Sequence, residues 1–250
     1  MEDGVGEGED PLMRVEVYGV LEQHPWIGQV SVDHDLEEDM FSLAVKRSKA
    51  YGWSSTVLGA GNELGGRRWT LADAGGDWSQ DGQVRQLAWL SVYPADDLAA
   101  QHLPVMPMTR VLTDVLQRVG ELRLAGLRVQ VPVRLARDAG FDLRAAADWF
   151  ALASPDARAD VTVTVSAGPE VSAAQVLDVA ARCGHGLLRL QEAGPGSPDI
   201  VLEGTCPEWT SDAAAWIADI IVESLRAAGV RAPAEITVFH NAEPGVRAER

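Results

Sequence analysis

The chain has 250 residues, 46% of them hydrophobic, enough to bury a sizeable core in one large domain or two of about 100–125 residues. Its 37 acidic residues against 21 basic ones give a net charge of −16 and a pI near 4.6. That balance opposes a polyanionic nucleic acid or an anionic membrane, whose main attraction is to Lys and Arg, and leaves a basic protein as the partner that charge favours. No stretch approaches the ~18 apolar residues of a membrane span.

The first residues, MEDGVGEGED, are acidic and Gly-rich. They lack the basic start and apolar run of a secretory signal, and residues 1–12 are expected to be a disordered tail of a cytoplasmic protein. Nearly all basic residues are Arg, a coding bias that fits a high-GC bacterium. A strand is predicted at Arg14–Glu22. The acidic run D-H-D-L-E-E-D at 33–39 precedes Leu36, Met40, Leu43 and Ala44 at helical spacing. It is therefore read as the opening turn of a helix over Asp35–Ala50, with Lys46, Arg47 and Lys49 closing it and complementing the macrodipole. The alternative is a divalent cation held by Asp33, His34 and Asp35.

Residues 52–82 are rich in Gly and Trp. Their G-A-G-N-E-L-G-G string resembles a phosphate-cradling loop but has no following Lys-Ser/Thr and leads into no clear helix, so a nucleotide site is not expected. Strands at Trp53–Gly59 and Arg67–Ala72, with another at Gly28–Asp33, would decorate the first half. Trp26, Trp53, Trp69 and Trp78, with His24 and His34, are the candidate partner- or ligand-binding residues, because long loops often carry function and tryptophans anchor partners. The same rings would serve equally well packed on a sheet.

After an apolar strand at Gln86–Tyr93, the stripe Val111, Leu112, Val115, Leu116, Val119 and Leu122 predicts a helix ended by Gly126. A strand alternating Leu127, Val129, Val131, Val133 and Leu135 with polar residues follows. Pro132 cannot donate to a ladder, which suggests an edge strand that could pair with a second copy unless it is protected. A connecting helix is predicted over Phe141–Leu152, with Trp149 and Phe150 packed, inside a linker spanning 137–158.

The second half is the more legible. Val161, Val163 and Val165 alternate with Thr162, Thr164 and Ser166 as a half-buried strand. Ser172 and Gln175 form a capping box and Val171 with Val176 a hydrophobic staple, opening a helix that Gly184 should end in a left-handed cap. A hairpin through Leu187–Leu190 and Ile200–Leu202, a helix from Thr210 or Ser211 to Gly229, and a strand through Ile236 and Val238 complete a βαββαβ order. The α+β expectation is two ferredoxin-like halves, a decorated one at 13–136 and a second at 159–241, with a flexible tail at 242–250. V-G-E-L-R-L-A-G-L-R at 119–128 recurs as V-E-S-L-R-A-A-G-V-R at 222–231, six of ten positions identical, which suggests internal duplication.

That topology brings Cys183, His185, Cys206 and His240 to one end of the second half. Two thiols and two imidazoles are the ligand set of a tetrahedral zinc site, although the chain has no C-x-x-C and buried free cysteines are common. No nucleophile elbow or H-E-x-x-H is present. The expected function is a non-catalytic, acidic protein-binding module: an adaptor, a secretion or assembly chaperone, or an immunity-type inhibitor. The rival is an enzyme or small-molecule binder with a pocket formed by the two halves.

Overall fold

A computed structural model describes residues 12–27, 39–53, 68–94, 102–153, 158–168, 171–194 and 198–241. The chain runs β1 (Met13–Gln23), α1 (Met40–Ala50), β2 (Trp69–Gly75), β3 (Arg85–Pro94), α2 (Val105–Val119), β4 (Gly120–Pro132), a 3-10 turn (Val133–Leu135) and α3 (Gly140–Ala153). It continues as β5 (Ala159–Ser166), α4 (Ala173–Cys183), β6 (Arg189–Glu192), β7 (Ile200–Cys206), α5 (Ser211–Ala227) and β8 (Pro233–His240). This is an α+β protein. Its described strands form one antiparallel sheet in the order β2-β3-β1-β4-β8-β5-β7-β6.

Alternation builds the sheet's two faces. Val15 and Val17 of β1, Leu127 and Val129 of β4, Ile236 and Val238 of β8, and Val161 and Val163 of β5 all point to one face and are buried beneath helices. The intervening residues form the other face, on which no described helix lies. There Glu16, only 5% exposed, accepts hydrogen bonds from Arg14 Nε at 2.8 Å and Tyr18 Oη at 2.7 Å, with Arg128 at 3.5 Å. Arg14 also lies over the ring of Trp89. A carboxylate this buried is tolerated because three partners surround it.

On the covered face α1, α2, α5 and α4 lie side by side, and α3 packs on α4 and α5 as an outer layer. With the sheet below, α3 above and a helix on each flank, α5 is buried from Ala213 through Ala218 and again from Ile220 through Leu225. The capping box Ser172/Gln175 starts α4, and Gly229 (φ +85°) follows α5 as expected. Gly184 is right-handed instead, and His185 and Gly186 take the positive φ values after α4.

Several expectations are corrected. Leu127–Leu135 is not an edge. β4 lies inside the sheet, paired with β1 and with β8 from Gly126↔Phe239 to Pro132↔Pro233. The two prolines face each other at the end of this ladder, where neither is asked for an interior donor. Residues 133–135 form the 3-10 turn. The helix before β4 stops at Val119, so Gly126 lies within a strand whereas Gly229 follows a helix. The two decapeptides therefore occupy different structure. The helix expected from Asp35 begins at Met40, with Asp39 as its cap accepting from Ser42 N at 2.8 Å; residues 33–38 of the acidic run lie outside the described residues. In place of the added strand expected at Arg67–Ala72, Trp69–Gly75 forms β2, the outermost strand of the common sheet. The rest of the strands expected at 28–33 and 53–59 lies outside the described residues. Among those described, no helix is long and apolar enough to cross a membrane.

Gly126 is required by a close approach. A Cβ there would stand 2.5 Å from the Phe239 ring, which covers the glycine and meets Tyr18 at 5.5 Å. Gly126→Ala is expected to cost about 1–3 kcal/mol by overpacking. In the Phe239→Ala background the added cost should largely vanish, a coupling readable in a urea-denaturation double-mutant cycle.

Candidate functional site

Between α2, α3 and α5 lies a half-open cavity of about 360 Å³. The approach to and first turn of α2 contribute Leu103, Pro104, Met106 and Pro107, α3 contributes Asp142, Leu143 and Ala146, and the middle of α5 contributes Trp216 and Asp219. His102, Ala139 and Arg68 complete the wall. Prolines suit this place because first-turn N–H groups have no intrahelical acceptor to lose. Trp216 is fully buried and fixed by donating from Nε1 to the Leu143 carbonyl at 3.0 Å, with Phe150 against its ring. This bond ties α5 to α3 at the cavity wall.

The polar groups are few. Asp219 keeps some solvent contact across the cavity, but the protein packed around it pushes its carboxyl well above the usual carboxylate range. Desolvation is the cause, and no neighbouring cation offsets it. No hydrogen bond or ion pair holds this side chain among the described residues. At the rim, His102 Nε2 lies 2.5 Å from Asp142 Oδ2, while its Nδ1 is sealed without a partner. Arg68 lies near the ring of Trp53 (5.7 Å), and its Nε likewise has no partner. An apolar chamber with one unpaired acid can bind an organic cation or exchange a proton with a bound molecule.

The residues singled out from sequence lie elsewhere. Trp69 is fully buried, and Trp53 packs between it and Tyr51, with centroids at 5.8 and 4.2 Å. Trp78 donates to the Leu87 carbonyl. These three rings pack against the core. Trp26 is half exposed and stacked on His24. His34, Asp33 and Asp35 lie outside the described residues.

Cys183, His185, Cys206 and His240 do not form one cluster. Cys206 Sγ is directed at the Glu208 carbonyl, His240 stacks on Trp209, His185 faces Asp148 at 3.6 Å, and Cys183, the last residue of α4, is buried in the core. Among the described residues no three His, Cys, Asp or Glu side chains come close enough to hold a metal ion. The strand ends do meet at one end of the sheet, but their side chains find separate neighbours. Burial raises the Cys183 thiol and pushes Cys206 up to about 11.

Sequence reasoning missed Asp219, Asp142 and His102. One signal was present: Asp219 is the single acid within A-A-A-W-I-A-D-I-I-V, three residues after Trp216 on the same helical face. Nothing comparable marks His102 and Asp142, forty residues apart.

No protein-family model, curated protein or solved structure matches this chain. Fold and cavity define a class: an α+β protein whose described strands form one helix-covered antiparallel sheet, with an acid-bearing apolar cavity in its helical layer.

Two outcomes follow. Because the folded carboxyl of Asp219 holds its proton more tightly than the unfolded one, the native state binds more protons between the two pKa values, and stability falls as pH rises through that window. Asp219→Asn should therefore be more stable than the parent at pH 7, with the gain vanishing below the unfolded pKa near ~4, as read by urea midpoints. Both buried thiols should stay silent to Ellman's reagent in native protein and react together on unfolding.

Proposed function

We propose that the chain consists of two duplicated ferredoxin-like units and binds a small organic cation with an apolar body in the cavity where their helices meet. Supporting the first part, each set of four strands carries the same order, 2-3-1-4 and 6-7-5-8, each with a helix after its first and third strand. The decapeptide echo gives this reading no help.

The observation that carries the second part is the unpartnered Asp219 carboxyl among Leu103, Met106, Leu143 and Trp216. A buried acid without a partner costs stability, and an ammonium group is the complement that relieves it. The volume falls at the low end of the ~300–1,000 Å³ typical of small-molecule sites. The net charge of −16 works in the same direction, concentrating cations near the surface while repelling nucleic acids. The His102–Asp142 pair offers a polar contact at the rim.

The test is calorimetry with 2-phenylethylamine against 2-phenylethanol, probes of similar size and different charge. The amine should bind at least about tenfold more tightly, and Asp219→Asn should cost the amine at least about tenfold, or ~1.4 kcal/mol, while sparing the alcohol. At a pH where the apo Asp219 carboxyl still holds its proton, amine binding should release it, seen as a dependence of the heat on the buffer's ionisation enthalpy. Equal binding of the two probes, absence of binding, or an amine indifferent to Asp219→Asn would each defeat the reading.

A further inference from the structure

α3 is apolar on two sides. Leu143, Ala147 and Phe150 turn inward and are almost fully buried. On the opposite side Phe141, Trp149 and Leu152 are 76%, 69% and 82% exposed, and Ala145 is exposed between them. The spacing i, i+4, i+8, i+11 puts these four on one stripe. The expectation that Trp149 packs internally is thus corrected. Its ring points outward because the neighbouring Phe150 takes the inward place against Trp216. Large apolar side chains gathered on one outer helix of so acidic a chain mark a surface that binds something.

Charge on the flank of the stripe identifies what. Arg144 and Asp148 lie one turn apart on the same flank, both exposed. Arg144 has no ion pair among the described residues, and Asp148 has only the distant His185 contact at 3.6 Å. The midpoint of Arg144 and Asp148 is Ala146, and the midpoint of Phe141 and Leu152 falls between Ala146 and Ala147. A two-fold axis through this point reverses a second copy of the helix so that Phe141 meets Leu152 and Ala145 lies near Trp149. The same operation sets Arg144 against the Asp148 of the other copy, and does so twice. An isologous interface requires this self-complementarity of a patch, whereas a basic or acidic foreign partner would leave one charge of each pair opposed.

We propose that α3 is the self-association surface of this protein, pairing two chains antiparallel through Phe141, Ala145, Trp149 and Leu152 with reciprocal Arg144–Asp148 contacts. The edge strands of the sheet are not used. The interface is small, so the dimer forms and dissociates with concentration.

Sedimentation velocity of the full chain from low to high micromolar concentration tests this. The mass should move from 26.8 kDa toward twice that value. Trp149→Glu with Leu152→Glu should hold the chain at the monomer mass with an unchanged circular dichroism spectrum, since both side chains face solvent in the monomer. Arg144→Asp should weaken association at least about tenfold at low salt, and adding Asp148→Arg should restore it, because the reversed pair is again self-complementary. A monomer at every concentration would overturn the proposal, and so would a dimer unaffected by the double glutamate variant. Failure of the charge reversal to restore association would overturn the antiparallel pairing on which it rests.

Discussion

The antiparallel ladder between β4 and β8 is the constraint on which the rest of the structure depends. Without it, each set of four strands would end in an unpaired row of N–H and C=O groups, open to association with any other strand. With it, the two exposed edges satisfy each other and a single sheet results. The seam is finished by side chains from both sides. Phe239 lies over Gly126 and meets Tyr18, Arg128 reaches both Glu16 and Glu235, and the Trp209 indole donates to the Leu124 carbonyl beyond the end of the β8 ladder. On the covered face the same pairing presses α2 against α5, where Arg110 grips Asp212 with two hydrogen bonds of 3.0 and 2.8 Å. That ion pair is exposed and contributes little to stability, but it fixes the relative position of the two helices.

The burial of α5 follows from this geometry. A helix at the middle of a sandwiched layer has no solvent side, so nearly every residue from Ala213 to Leu225 must be apolar or hydrogen-bonded inside the fold. Most obey. Ser224 donates to the Ile220 carbonyl, and Glu223 is held by Arg226 and accepts from the Ala139 backbone where α3 begins. Asp219 is the exception. A carboxyl retained without a partner, facing the chamber under α3, is destabilising for the apo fold, and residues of this kind gather where chemistry or recognition takes place.

Local structure was readable wherever a short-range rule decides it. Ser172 with Gln175 caps α4 as their spacing demands, Thr210 caps α5, and the Val161–Val165 alternation gives β5 its two faces. Errors arose where distant residues decide. Pro132 reads as an edge signal, and within its own half it is one, but the edge is taken by β8. Gly126 reads as a helix stop, yet it is a gap in a strand filled by a phenylalanine 113 positions away, and no local pattern announces that ring. Three of the Trp side chains, read equally as anchors or as packing, pack against the core.

The amino-acid sequence alone determined the net acidic charge, the α+β class, most helices and strands, and the N-terminal caps of α4 and α5, the local features because each depends on residues within a few positions of one another. Tertiary structure decided that the eight described strands form one sheet, that Cys183, His185, Cys206 and His240 take separate neighbours, and that Phe150 turns inward while Trp149 turns out. It also decided that His102, Asp142 and Asp219 share a chamber. These outcomes rest on contacts between elements far apart in the chain, and periodicity carries no information about which distant face an element will meet.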